Sequence, residues 1–128
     1  MRKLMTIAVL VALTGAACAS SGARSGPRTD RTLITRQQIE TGGYRTAYDA
    51  VLSLRSNWLQ ERGRDSFANP SIVLVYLDGT KMGGIDELKG IPAHSVESIK
   101  HHDGISASAR WGLDHGQGVI EVKTRVGL

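Results

Sequence analysis

Ile72-Val73-Leu74-Val75-Tyr76-Leu77 is an unbroken apolar run of strand length, stopped abruptly by Asp78-Gly79. A strand with one wet face alternates apolar and polar residues, whereas a continuous run predicts a central strand buried on both faces. The chain that must bury it has 128 residues, 41% of them hydrophobic and only 5% aromatic, which is room for one small domain. A multidomain enzyme is excluded. So is a solute-passing outer-membrane barrel, because each of its many strands would take about 9–11 residues. Fifteen glycines against three prolines, with 22% charged residues, indicate a folded, turn-rich domain.

Around that run the pattern predicts a mixed domain from Arg31 to Leu128. Thr32-Leu33-Ile34 is a short strand-like run, and Thr35 with Gln38 makes a T-x-x-Q capping box that starts a helix ended by Gly42-Gly43. A second helix is expected from Tyr44 to Gln60, where Ala47, Val51, Leu54 and Trp58 recur at helical spacing. Trp58 and Tyr48 are expected to pack in the core. Glu61 to Pro70 is a polar loop, Lys81-Met82 returns as a short hairpin arm, and Ile85 to Lys89 and Ile91-Pro92 suit short turns. Val96 to His102 is a strand with Ile99 inward, Ser106 to Arg110 a single helical turn, and Val119 to Arg125 the final strand. In that strand Glu121, Lys123 and Arg125 share one face, expected to be solvated. The expected fold class is α+β, a small mixed sheet of about four strands with two N-terminal helices.

The N-terminus reads as an address. Arg2 and Lys3 precede an apolar stretch from Leu4 to Leu13 and then Gly15-Ala16-Ala17, the layout of a signal peptide spanning residues 1–17. An apolar stretch of about ten residues is half of what a spanning helix needs. Cys18, the single cysteine, follows directly, and the arrangement resembles the lipobox of bacterial lipoproteins, in which this residue is acylated with fatty-acid chains such as palmitate. A lone thiol in an exported chain has no intramolecular disulfide partner, which favours lipidation. Ala17-Cys18-Ala19 also fits ordinary A-x-A cleavage, which would release a diffusible protein. Residues 18–30, CASSGARSGPRTD, form a small, polar tether able to span on the order of 40 Å at about 3.3 Å per residue. Losing Arg2 and Lys3 lowers the net charge from +4 to +2, so nucleic acid is not an expected partner.

The domain itself resembles the plug of TonB-dependent outer-membrane receptors. The segments ITRQQIETGGYRTAYDAVLSL, IVLVYLDGTKMGG, GIPAHSVESIKHHDGISASARWG and GQGVIEVKTR carry the resemblance in order and spacing over Leu33 to Arg125. In that family the plug is a small mixed sheet with helices inside a 22-stranded barrel, and its apical loops help to bind scarce solutes. This chain has no barrel and no TonB box in its tether, and Asp103-Gly104-Ile105 stands where the family often has Arg-Gly-Pro. The resemblance implies a stand-alone plug-like domain held at the outer membrane through Cys18, facing the periplasm or the cell surface. It would be a binding or interaction module whose partner is an envelope transport protein.

Chemistry-bearing residues are sparse. His94, His101, His102 and His115 with Asp103 and Asp114 make the one metal-like set, without H-x-x-x-H or C-x-x-C spacing, and adjacent His101 and His102 should face opposite ways in a strand. A diffusible metal- or small-ligand-binding protein using His101, His115 and Asp114 is the alternative reading. Ser95, Ser98, Ser106 and Ser108 have no evident base, and Glu97 and Glu121 lie in strands with polar faces, so no enzyme, cofactor or metal is expected. Gly112, Gly116 and Gly118 precede a strand and not a helix, which excludes a phosphate loop and leaves them to permit positive φ. Loops remain the candidate binding positions: Asp78 and Lys81 in one, Trp111, Asp114 and His115 in another.

The address is testable by intact mass. Protein purified from the outer-membrane fraction should begin at acylated Cys18, and the Cys18→Ala variant should lose both the acyl mass and the membrane association. An unmodified chain in the soluble periplasm would remove the lipid anchor.

Overall fold

The computed structural model describes residues 29–61 and 72–125. The leader 1–17, Cys18, the tether up to Arg28, residues 62–70 of the expected polar loop and Ser71 lie outside them.

Leu33–Thr35 forms strand β1 and passes directly into helix α1, Arg36–Gly42. The expected capping box sets the boundary: the Gln38 amide donates to Thr35 Oγ1 at 3.4 Å and the Thr35 amide donates to Gln38 Oε1 at 2.9 Å. Two donors that a first helical turn leaves without intrahelical partners are thereby satisfied. Gly43, at φ 63, closes the helix in the left-handed conformation. Helix α2 runs over Ala47–Arg55, shorter than the expected 44–60. A second capping box, between Thr46 and Asp49, fixes the later start, and Ser56–Leu59 tighten into a 3-10 turn at the other end.

Strand β2 is Leu74–Leu77 and turns through Asp78-Gly79 into β3, Thr80–Gly83. Ile72, included in the apolar run, is 41% exposed and lies before the strand. Two 3-10 segments, Ile85–Gly90 and Ala93–Ser95, lead into β4, Val96–His102, which has the bounds expected of it. Helix α3, Gly104–Trp111, then a 3-10 turn at Leu113–His115, precede β5, Val119–Thr124.

The five strands form one mixed sheet in the order β1-β4-β5-β2-β3, an α+β domain. One strand more than expected is present because both short runs, at 33–35 and 80–83, pair along the two edges. Strand β5 sits in the middle, antiparallel to β4 and parallel to β2. On one face of the sheet Ile34, Val73, Val75, Ile99, Ile120 and Val122 pack against Ile39 of α1, Ala47, Ala50 and Val51 of α2, Trp58 and Leu88. On the other face Leu74, Tyr76 and Val119 pack against Ala107 of α3 and the half-buried Trp111.

That second layer corrects the reading of β5. Its Glu121 face is not solvated: Val119 is fully buried and Glu121 is 7% exposed. The single helical turn expected at 106–110 is an eight-residue helix, started by Asp103, whose Oδ1 accepts from the Ser106 amide at 2.7 Å. Its small residues let it lie close over the strand, with Ala107 fully buried. Gly104 is obligatory for the same approach, since a Cβ there would overlap the Gly116 carbonyl oxygen. Of the three glycines expected to need positive φ, Gly112 and Gly118 do, at 113° and 100°, while Gly116 is right-handed at φ −59.

Asp78 locks the central strand to the β2–β3 turn. Its backbone amide donates to the Val122 carbonyl at 2.9 Å, while its carboxylate accepts from the Thr124 amide at 2.9 Å and the Thr124 hydroxyl at 2.5 Å. The hydroxyl and then the amide of Thr124 hold its pKa below the ordinary carboxylate value. A carboxylate depressed on folding contributes stability that is complete above its unfolded pKa, about 3.9, and is lost as pH falls through the lower folded value. The stability gap between wild type and Asp78→Asn should therefore narrow below about pH 4 in denaturant titrations. A gap constant down to strongly acid pH would contradict this role.

Candidate functional site

Strand register builds one row across the whole sheet, polar at four of its five places. Leu33, Lys100, Glu121, Tyr76 and Lys81 are consecutive cross-strand partners on β1, β4, β5, β2 and β3. Side chains directly opposite one another share a face. Helix α3 covers the middle of this row, and beneath and beside it Tyr76, His102, Trp111, His115 and Glu121 gather with Arg110.

Donor and acceptor chemistry decides how they are joined. Glu121 as a carboxylate only accepts, so His102 Nε2, 3.0 Å from Glu121 Oε2, carries the proton and donates. Arg110 Nη2 lies 3.7 Å from the other carboxylate oxygen. Both His102 and Glu121 are close to nine-tenths buried, whereas Arg110 reaches them from solvent. His115 Nδ1 faces the Gly112 carbonyl at 3.2 Å and must donate to it, which leaves Nε2 to accept from the Tyr76 hydroxyl at 2.9 Å.

Trp111 joins the two pairs. Its ring centroid is 5.0 Å from that of Tyr76, 5.0 Å from His102 in an edge-on contact and 6.2 Å from His115, and the Arg110 guanidinium lies 4.6 Å above it. Such ring pairs and cation–π contacts each add about 0.5–1.5 kcal/mol beyond area burial. The assembly fastens the C-terminal end of α3 and the turn after it to the sheet.

Of the residues predicted from loops, Trp111 and His115 belong to this cluster, and Lys81 is the exposed cross-strand partner of Tyr76. Asp78 is engaged with Thr124 and Asp114 is exposed in the 3-10 turn. His101 does not join His115: its ring stacks on Trp58 at 5.2 Å, on the opposite side of β4 from His102. Among the described residues no three His, Cys, Asp or Glu side chains are grouped as a metal site. Glu97 and Glu121 are likewise apart, Glu97 pairing with Arg36 at 3.3 Å.

Tyr76, Arg110, the pairing of His102 with Glu121 and the buried state of Glu121 escaped the sequence reading. The available signal was a single acid set within the Val-Ile-Glu-Val run, flanked on its own face by Val119. No family model matches the chain, and no curated protein matches it.

A double-mutant cycle measures the Tyr76–His115 link. Tyr76→Phe should cost about 1 kcal/mol in the wild type and less in a His115→Leu background, where the hydroxyl has lost its acceptor. Strict additivity in urea unfolding would show that the bond contributes nothing.

Proposed function

We propose that the chain is a non-catalytic cell-envelope lipoprotein, whose plug-like domain serves as a binding or protein-interaction module beside an outer-membrane transport system. Three features support the reading. The segments that resemble a TonB-receptor plug occur in order along the chain and supply α1, α2 and all five strands of a single mixed sheet. The polar side chains clustered at α3 are spent on one another, His115 through both ring nitrogens and Glu121 through both oxygens, which is the arrangement of a scaffold and not of a poised acid–base pair. The leader and Cys18 supply the address at the envelope.

The observation that carries the proposal is what α3 presents outward. Ile105 at its start is 86% exposed and Leu113 just beyond its end is 92% exposed, although the helix between them is pinned to the sheet. Large aliphatic side chains held rigidly in water gain free energy when a partner covers them, about 25 cal/mol per Å² of apolar surface. A rigid display also lowers the ordering cost of association.

Photo-crosslinking tests this in the native envelope. A photoreactive residue replacing Leu113 should give a discrete adduct with an envelope protein, and one replacing Leu52, exposed on α2, should not. Leu113→Asp should reduce that capture while shifting stability by no more than about 0.5 kcal/mol, since the side chain touches little of its own domain. No adduct from either Ile105 or Leu113 would defeat the proposal.

A further inference from the structure

We propose that the recess where the tether enters the domain, walled by Thr29, Arg31, Arg55 and Asn57, takes the anionic phosphate headgroup of a membrane lipid and so seats the domain on the bilayer. The inference deepens the envelope reading, on which it rests for the source of the headgroup, and it uses none of the residues assigned to the protein-docking surface.

The recess has a volume of about 410 Å³, within the range of about 300–1,000 Å³ found for small-ligand sites. Its charge comes from two guanidinium groups. Arg55, the last residue of α2, donates through Nε to the Arg31 carbonyl at 3.3 Å and through Nη1 to the Leu54 carbonyl at 2.7 Å. These bonds fix the side chain in place, yet carbonyls carry no net charge and leave the cation unneutralised. Its Nη2 takes no part in them. Arg31 is exposed, and among the described residues neither arginine is within ion-pair distance of a carboxylate.

The neighbouring acids are turned elsewhere. Asp30 Oδ1 accepts from the Thr32 amide at 2.8 Å and the Thr32 hydroxyl at 2.7 Å, and those bonds, with the charges of Lys100 and Arg55 behind them, hold its pKa below the ordinary carboxylate value. Asp103 shares Asn57 with an adjoining recess, where its Oδ1 accepts from the Ser106 amide at 2.7 Å. Against these acids stand Arg31, Arg55 and Lys100, and the sequence outside the described residues adds Arg24, Arg28, Arg62 and Arg64 to the mature chain against Asp65. Carbonyls at the C-terminal end of α2 oppose an anion, and Arg55 offsets this by covering that of Leu54.

Donor geometry selects phosphate. A guanidinium is a planar fork that matches two oxygens of a phosphate, which a lone ammonium cannot do. The Asn57 carboxamide and the Thr29 hydroxyl supply neutral donors beside it. Thr29 is also where the tether meets the described domain, so an acyl group on Cys18 would keep this wall within reach of the headgroups. A short flexible tether gives a site a millimolar effective concentration of its target, enough to fill one that binds weakly alone. Acylation combined with a basic patch is the two-part anchor that membranes retain.

Vesicle sedimentation tests the proposal on the mature chain bearing Cys18→Ala, which keeps the tether and every described residue but carries no acyl group. It should sediment with vesicles of equal parts phosphatidylglycerol and phosphatidylcholine, and not with phosphatidylcholine alone. Arg31→Gln and Arg55→Gln should each lower the partition coefficient about fivefold, as for one arginine near an anionic surface. Arg31 is exposed, so its variant keeps the fold whatever the loss of the Arg55 bonds does to α2. Lys81→Gln, at the opposite edge of the sheet, should leave the partition unchanged. Sodium phosphate should release the protein no more than sodium chloride of equal ionic strength. Equal binding to both vesicle types, undiminished binding in either arginine variant, an equal loss from Lys81→Gln, or release specific to phosphate would each overturn it. Because this chain is unacylated, failure here leaves the acyl anchor standing, and failure of acylation by intact mass leaves the vesicle result standing.

Discussion

A carboxylate buried in the middle of the sheet organises much of this domain. Glu121 lies on the central strand with apolar neighbours before and after it, and an ionised group there is costly unless its oxygens are hydrogen-bonded. His102 on β4 and Arg110 on α3 meet that need from two different elements. Satisfying Glu121 therefore positions α3 as well as supporting β5. The helix comes to rest with Trp111 against Tyr76, its N-terminal turn against Gly116 and its aliphatic residues outward. The display of Ile105 and Leu113 follows from the same placement.

Alternation along a strand states which residues share a face, but not whether anything covers that face. This is why β4 could be read from Val96 to His102 with Ile99 inward, while the second face of β5 was expected to be wet. The covering element was hard to see. Gly-Ile-Ser-Ala-Ser-Ala-Arg-Trp has no broad apolar stripe, because a helix that approaches a sheet closely through Ala107 needs small residues more than large ones. The first helix was legible because Thr35, Gln38 and Gly43 form a local chemical code that tertiary contacts did not override. The second was misjudged at both ends, since helical periodicity continues past Arg55 although the backbone tightens there into a 3-10 turn.

The candidate site was half legible. Trp111 and His115 stood out as an aromatic and an imidazole among glycines, and they do meet. Asp78 stood out equally, yet its carboxylate is occupied by Thr124, 46 residues away in sequence, a partner that only the fold supplies. Tyr76 passed as one apolar residue in an apolar run, and its hydroxyl acquires meaning only once His115 is brought beneath α3. Residues whose roles depend on long-range register resist local reading.

The order of strands in space differs from their order in the chain, and this bears on how the domain comes to be folded. The central strand is the last of the five to emerge, and its parallel partner β2 precedes it by more than forty residues. Until β5 is available, β1 with β4 and β2 with β3 are two separated halves with no common core, each a pair of strands too small to be independently stable. Closure of the long loop between β2 and β5 must precede the pairing that rewards it, which places much of the barrier late and slows folding relative to a domain of local contacts. A chain assembled in this way has no stable sheet until its final strand arrives, so most of its stability is gained in one late step.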